Sequence, residues 1–122
     1  MFGHERFEAY QLSIQFLRIA LELAEKIPTG YCAVKDQLNR AALSVPLNIA
    51  EGSGKRQIAD RNRFYGIASG SAMECAALCD VIGIIMPATI DLLTQGKSLL
   101  KSVVSILVAV SDKGKGEDKN KV

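Results

Sequence analysis

The chain has 122 residues, of which 48% are hydrophobic and 23% are charged, and its formal net charge at pH 7 is +2. This length and composition are typical of one globular domain with its own core, and they exclude a chain that is disordered throughout. Aromatic residues make up only 6% and tryptophan is absent, so we expect a core of aliphatic side chains and alanine. The small net charge gives little overall attraction for nucleic acid or anionic lipid unless the basic residues cluster.

Cysteine usage predicts a reducing compartment. The three cysteines, Cys32, Cys75 and Cys79, are an odd number, and residues 1–11 do not follow the basic-then-apolar pattern of a secretory leader. We therefore expect a cytoplasmic protein. Cys75 and Cys79 lie one helical turn apart and could share a metal, but the single histidine, His4, is remote, and closed zinc sites need four ligands. We expect both cysteines to be small buried residues, and no metal or cofactor.

The apolar runs of the chain are short. The run 81–90 lies between Asp80 and Asp91, and the run 99–110 is interrupted by Lys101. A membrane-spanning helix needs about 20 predominantly apolar residues. We therefore expect neither run to span a bilayer, and no membrane partner.

Helical periodicity dominates the sequence from residue 7 onward, and strands with strict alternation are absent from the pattern. Glycine and proline interrupt this periodicity at residues 28–30, 52–54 and 87. The pattern predicts four helices, at 6–27, 31–51, 58–86 and 88–111. Short connections between consecutive helices favour an all-α, antiparallel up-and-down four-helix bundle. The bundle domain would cover 1–111, and the lysine-, glycine- and acid-rich segment 112–122 is predicted to be a flexible charged tail.

The first predicted helix has two neighbouring apolar stripes. One contains Phe7, Tyr10, Ile14, Leu17, Leu21 and Ala24, and the other contains Leu12, Phe16, Ile19, Leu23 and Ile27. A helix in a monomeric bundle needs to bury only one stripe somewhat wider than about 100°. The second stripe therefore predicts an interface with another copy, centred on Phe16 and Leu23. The alternative is that it packs on a second neighbour within the same bundle.

The second and third predicted helices each carry an unusual pattern. Polar residues recur on one face of the second helix, at Gln37, Arg40, Ser44, Asn48 and Glu51, and Pro46 lies among them. This face is either solvated or part of a buried polar network in which Arg40 meets a carboxylate such as Glu74. We expect Pro46 to bend the helix and not to end it. The third helix is rich in glycine, alanine and serine, which favours close helix packing over space for a ligand.

A basic cluster follows the second predicted helix. Its four cations are Lys55, Arg56, Arg61 and Arg63, against one acid, Asp60. Such a cluster is either a modest anion-binding surface or an ordinary solvated one. Residues 52–56 do not form a phosphate-binding loop, because Arg56 stands where that motif requires serine or threonine. No nucleophile can be paired with a histidine base on spacing grounds, so we do not expect an enzyme.

Three segments together carry a family resemblance. They are 37–42 (Gln-Leu-Asn-Arg-Ala-Ala), 44–52 (Ser-Val-Pro-Leu-Asn-Ile-Ala-Glu-Gly) and 67–71 (Ile-Ala-Ser-Gly-Ser) with Glu74. These residues resemble the bacterial four-helix-bundle proteins encoded within intervening sequences of 23S ribosomal RNA genes. That family is similar to the accessory variability proteins of diversity-generating retroelements, which form pentameric barrels and bind nucleic acid and a reverse transcriptase. The chain departs from the pattern at Asn39, where a second basic residue is frequent.

The resemblance implies a four-helix-bundle protomer, a homopentamer, and no catalytic activity. The positions it assigns an architectural role are Gln37, Arg40, Ser44, Pro46, Asn48, Glu51, Gly52, Gly54, Gly70, Ser71 and Glu74. Two functions are compatible with the sequence. The first is an oligomeric scaffold that binds RNA or DNA through Lys55, Arg56, Arg61 and Arg63, with Arg40. The second is a scaffold for a nucleic-acid enzyme such as a reverse transcriptase, without direct nucleic-acid binding.

Overall fold

The structure is a computed structural model that describes residues 2–120, with side chains described for residues 2–113. Within this part of the chain all regular structure is helical. Four helices make up the fold: α1 (Glu8–Lys26), α2 (Cys32–Ser53), α3 (Ile58–Ile85) and α4 (Ile90–Asn120). Short 3-10 turns precede three of them, at Gly3–Arg6, Thr29–Tyr31 and Pro87–Thr89. The prediction of an all-α protein with four helices is confirmed.

Each helix packs mainly against two others. Helix α1 contacts α2 and α4, and α3 contacts the same two helices, so α1 and α3 lie diagonally across the bundle. The core between them is mostly aliphatic, as the composition predicts, with Phe16 as its largest fully buried side chain. Its largest fully buried aliphatic side chains include Leu38, Ile49, Ile82, Leu100 and Leu107.

The helix boundaries agree with the sequence pattern except at the C-terminus. Helix α4 continues to Asn120, nine residues beyond the predicted end at 111. No proline follows Pro87 to stop it, and Gly114 and Gly116 disfavour a helix without forbidding it. The predicted flexibility of 112–122 stays a prediction, and residues 121–122 lie outside the described residues.

The prediction that the Phe16 and Leu23 stripe of α1 forms an interface with another copy is wrong. Phe16 and Leu23 are fully buried within the protomer, and Ile19 and Ile27 are 7% exposed, so this stripe faces the core and not another copy. The other stripe borders solvent, where Leu21 is 51% exposed. Both stripes have similar apolar content, so periodicity alone cannot tell which one faces inward. The small residues beside the Phe16 stripe, which are buried in the same contact, decide it: Ala9, Ser13 and Ala20.

Pro46 does not end α2, as the sequence analysis predicts. The helix runs without interruption from Cys32 to Ser53 and buries the proline ring. A proline inside a helix removes one backbone hydrogen bond. Two residues after the proline, the Asn48 side-chain amide donates to the Ser44 carbonyl at 2.8 Å and to the Ser44 hydroxyl at 3.0 Å. These bonds give α2 additional hydrogen bonding beside its proline.

The small residues of α3 have two different roles. Ala68 and Ala72 are fully buried, and a Cβ on Gly83 would lie 3.4 Å from Leu93, so these positions pack closely as predicted. Gly66 and Gly70 differ, because a Cβ on either would meet nothing within 4 Å. Close packing inside the protomer therefore does not explain those two glycines.

Two segments, Ile58–Ile85 and Pro87–Lys113, are long and apolar enough to cross a membrane by length and composition alone. The sequence analysis considered uninterrupted apolar runs, whereas each of these longer segments contains an apolar stretch of 18 residues with no more than two charged side chains. Core helices of bundles satisfy the same criterion, so the absence of a membrane partner stays a prediction.

Candidate nucleic-acid interface

The basic cluster lies where α2 ends and α3 begins. The α2 end is held by a tight turn in which the Gly54 N–H donates to the Glu51 carbonyl at 3.2 Å and the Lys55 N–H donates to the Gly52 carbonyl at 3.0 Å. The turn places Lys55 and Arg56 in the connection, two or three residues before the first residue of α3. The local sequence therefore brings the four predicted cations to one end of the bundle.

Phe64 organises two of these cations. The Lys55 ammonium lies 5.3 Å from the centre of the Phe64 ring, and the Arg63 guanidinium lies 4.4 Å from it. Both distances are within the range of cation–π attraction. Lys55 also approaches the Glu51 carboxylate at 3.8 Å, an exposed pair that adds little stability. Lys55, Arg56 and Arg63 are all exposed, so they form the accessible part of the cluster.

Arg61 has a different role from the one predicted. Its guanidinium donates to the Val110 carbonyl of α4 at 3.3 Å and to the Asn62 side-chain oxygen at 3.1 Å, and it lies 5.7 Å from the centre of the Tyr65 ring. The Asn62 amide donates to the Ser111 carbonyl at 3.3 Å. Arg61 is half-buried and joins the first turns of α3 to α4. It is therefore an architectural residue.

Arg40 does not lie with the cluster. It is on α2, 15 residues before Lys55, and at 1.5 Å per residue this places it about 20 Å away along the helix. The predicted contact with Glu74 is also not formed among the described side chains. The Gln37 amide donates to that carboxylate. Arg40, one turn after Gln37 on α2, remains exposed to solvent. The basic surface therefore consists of three residues, with Arg40 elsewhere.

The polar stripe of α2 lies along its seam with α3. The Ser44 and Ser71 hydroxyls are 2.8 Å apart, and both line a small cavity of about 170 Å³ with Gln37, Arg40 and Glu74. The network interpretation therefore holds in part, for the half-buried Ser44 and Asn48. The hydrogen bond of Gln37 is at an exposed position, and Arg40 and Glu51 are solvated. A network of this kind fixes the register of two helices more than it adds stability.

The glycines of the family motif occupy unlike environments. Gly52 is buried, and a Cβ there would lie 2.8 Å from two carbons of the Tyr65 ring. The Tyr65 hydroxyl lies 2.8 Å from the Ser53 hydroxyl, so the ring is held against this position. Gly54 and Gly70 are exposed. Of these three motif glycines, only Gly52 is required by packing within the protomer.

The buried thiols are protonated and unreactive at neutral pH. Burial raises the pKa of Cys75 from 9.0 to about 12, and the neighbouring Cys79 adds to the rise. Burial likewise raises the pKa of Cys79 to about 11, although Lys97 lowers it in part. Metal ligation requires the thiolate. Among the residues that the structure describes, no group of three or more histidine, cysteine and acidic side chains could hold a metal ion.

Sequence reasoning missed the aromatic residues of the site. The Arg63 guanidinium lies near the Phe64 ring, and the Arg61 guanidinium lies near the Tyr65 ring. The Asn62 amide donates to a carbonyl of α4. The proximity of two arginines and two aromatic residues over 61–65 (Arg-Asn-Arg-Phe-Tyr) is visible in the sequence. Interleaved basic and aromatic residues are typical of surfaces that bind single-stranded nucleic acid.

Comparison with known proteins identifies the family of the chain. A search of curated proteins finds no similar sequence. Residues 5–109 match the family model described as 23S rRNA-intervening sequence protein, and this segment covers all of α1, α2 and α3 and most of α4. The chain therefore belongs to the 23S rRNA-intervening sequence protein family.

Proposed function

We propose that this protein is a non-enzymatic, cytoplasmic, oligomeric scaffold that binds RNA or DNA through Lys55, Arg56 and Arg63. The observation that carries the proposal is the Phe64 ring with two exposed cations, Lys55 and Arg63, within cation–π distance of it, and the exposed Arg56 next to Lys55 in the chain. Cations held over an aromatic ring can neutralise phosphates while the aromatic and guanidinium planes offer stacking surfaces for bases. We expect binding with slight sequence preference, because phosphate contacts position a protein without reading bases.

The proposed bundle is antiparallel. Contacts between α2 and α3 support this order, since Gln37 meets Glu74, Ser44 meets Ser71, and Ser53 meets Tyr65. Contacts between α3 and α4 follow the same pattern, because Lys97 meets Asp80 and Val110 meets Arg61. In each pair of helices, later residues on one meet earlier residues on the other. The three-residue surface then lies at the end of the bundle where α2 ends and α3 begins.

Assembly into a homopentamer, as the family resemblance implies, would repeat this surface in every copy. Three cations on one protomer are a small footprint for a nucleic-acid backbone. Several copies with their clusters on the same rim would neutralise several phosphates along one strand. The affinity of the assembly should therefore depend steeply on salt.

Fluorescence anisotropy of a labelled RNA or DNA tests the proposal. Replacing Arg56 and Arg63 together with alanine should weaken binding to all tested sequences and flatten the dependence of log affinity on log salt. The expected slope is about −0.7 per neutralised phosphate for single strands and about −0.9 for duplex DNA. Both arginines are exposed, and among the described residues neither has a hydrogen bond to another helix, so the fold should remain intact.

A matched control removes two cations elsewhere. Arg18 on α1 and Lys35 on α2 are exposed, and their double alanine variant has the same net charge as the test variant. It should bind nearly as tightly as the unmodified protein. Equal affinity in the test variant, or no binding by the unmodified protein at low salt, would contradict nucleic-acid binding through this cluster. The second candidate, a protein scaffold for a nucleic-acid enzyme such as a reverse transcriptase, would then be favoured by the exposed apolar surfaces of the bundle.

A further inference from the structure

Phe64 is a half-buried aromatic residue that packing in the core does not explain. Within the described part of the chain, the other half-buried phenylalanine and tyrosine side chains, Phe7 and Tyr10, pack against the core, whereas Phe64 does not. Its ring instead lies beside the Lys55 ammonium and the Arg63 guanidinium, whose distances from the ring centre are 5.3 Å and 4.4 Å. A ring that is partly covered by exposed cations offers a surface that a ligand can reach.

The fold holds the Phe64 ring in place. Tyr65, the next residue of α3, is buried, with its ring against Gly52 and its hydroxyl 2.8 Å from the Ser53 hydroxyl. Successive side chains of an α-helix point about 100° apart, so the inward direction of Tyr65 sets the direction of Phe64. The ring is therefore already ordered beside Lys55 before a ligand arrives, which lowers the entropic cost of binding.

Carboxylates offset little of the positive charge around this ring. Glu51 pairs with Lys55 at 3.8 Å, but both side chains are exposed, and exposed pairs of this kind are weak. The nearby Asp60 is exposed and has no ion pair among the described residues. The positive charge that remains attracts anions, and a nucleic acid presents one phosphate anion at each nucleotide.

A ring beside phosphate-binding cations matches one nucleotide of a single strand. In a duplex the faces of the bases are covered by neighbouring base pairs, so a protein reaches only the base edges and the backbone. In a single strand a base can turn outward and stack on an aromatic side chain, while its phosphate binds a nearby cation. Lys55 and Arg63 have long side chains, so either cation can move from the ring to the phosphate when a base takes its place.

We propose that the Phe64 ring stacks with an unpaired base, so that the basic cluster selects single-stranded nucleic acid over duplex. This selection rests on the nucleic-acid binding of the proposed function and names the form of nucleic acid that the site takes. Stacking on an aromatic side chain contributes about 5- to 150-fold in affinity per base, and it tolerates any sequence because every base has a π-face. Selection of single strands is therefore compatible with a slight sequence preference.

Fluorescence anisotropy tests the selection with labelled oligonucleotides of equal length: a single strand, the duplex of the same sequence and an abasic single strand. The unmodified protein should bind the single strand more tightly than the duplex, and at least about 5-fold more tightly than the abasic strand, which has the phosphates but no bases. Phe64→Leu keeps an apolar side chain without the ring. It should lose most of the difference between the single strand and the abasic strand, and Phe64→Tyr should restore it.

A direct signal comes from Phe64→Trp, because the chain has no other tryptophan. Stacking with a base quenches tryptophan fluorescence, so the single strand should quench this variant and the duplex and abasic strand should not. The matched control is Tyr31→Leu, which removes a 47% exposed ring before the first turn of α2, at the other end of that helix from the cluster. It should bind all three probes as the unmodified protein does.

Two outcomes would overturn stacking and leave phosphate binding in place. One is equal affinity of the unmodified protein for the single strand and the abasic strand. The other is a Phe64→Leu variant that has normal helical circular dichroism and binds the single strand as tightly as the unmodified protein. Failure of the proposed function differs from both, because the Arg56 and Arg63 double alanine variant would then bind every probe with unchanged affinity and unchanged salt dependence.

Discussion

Gly52 shows how one residue positions the candidate interface. It is the last buried residue of α2, and the Tyr65 ring packs directly against its Cα. The same ring lies under Arg61 and hydrogen-bonds with Ser53, so a single contact aligns the end of α2 with the first turns of α3. Lys55 and Arg56 lie in the connection between these two helices.

Replacing Gly52 with alanine should destabilise the protein by about 1–3 kcal/mol, the usual cost of overpacking a tight site. The added Cβ would lie 2.8 Å from the Tyr65 ring and 3.1 Å from the Arg61 carbonyl oxygen, which belongs to the backbone and cannot rotate away. Urea denaturation measures the change. Gly66→Ala is the matched control, because its Cβ meets nothing within 4 Å, and it should leave the protomer unchanged or stabilise it by up to about 1 kcal/mol. Equal effects of the two substitutions would contradict the packing account.

Helices α3 and α4 are joined at the basic end by two side chains: Arg61, which the sequence analysis placed in the basic cluster, and Asn62, to which it gave no role. Arg61 and Asn62 both donate to carbonyls of α4, at Val110 and Ser111. These contacts hold the start of α3 in place, and with it the Arg63 and Phe64 pair. At the scale of elements, the candidate site therefore depends on a connection between α3 and α4.

Asn62→Ala should loosen this connection. The variant loses the bond to Ser111 and leaves the Arg61 guanidinium without its side-chain acceptor, at a cost of about 0.5–1.5 kcal/mol per net hydrogen bond. Backbone amides of residues 108–113 should exchange with deuterium faster than in the unmodified protein. The control Gln57→Ala changes an exposed side chain that makes no capping hydrogen bond and should leave exchange unchanged. Unchanged exchange in Asn62→Ala would show that α4 does not depend on this contact.

Several elements of the fold were predictable because their physical causes are local. Breaks at proline and glycine separated the four helices. The α2 polar stripe was compatible with a solvated face or a buried network, and the Ser44–Ser71 contact places it along the seam with α3. The orientation of α1 was not predictable, because its two stripes differ little and the choice depends on buried small residues such as Ser13 and Ala20. The role of Arg61 was not predictable either, since it depends on Val110, 49 residues later. Periodicity reports which faces are apolar, and only packing decides which of them remain exposed.

At the scale of the whole molecule, exposed apolar side chains connect the proposed assembly to binding. Leu43, Leu47, Met73 and Ile84 are exposed on the protomer. The proposed oligomer would cover apolar surface of this kind and would repeat the basic cluster of each protomer. A single small cluster gives weak attraction at physiological salt, where the Debye length is about 8 Å. The account therefore requires both oligomerisation and the cluster for useful affinity.

Light scattering coupled to size exclusion, with a labelled single-stranded RNA at low salt, tests this central claim most directly. The account predicts one peak that contains the label and has the mass of the RNA plus several protomers of 13.2 kDa, with five as the number that the family resemblance implies. Raising the salt should release the RNA and leave the protein oligomer. A protein that elutes as a monomer, with the RNA in a separate peak at low salt, would contradict the account.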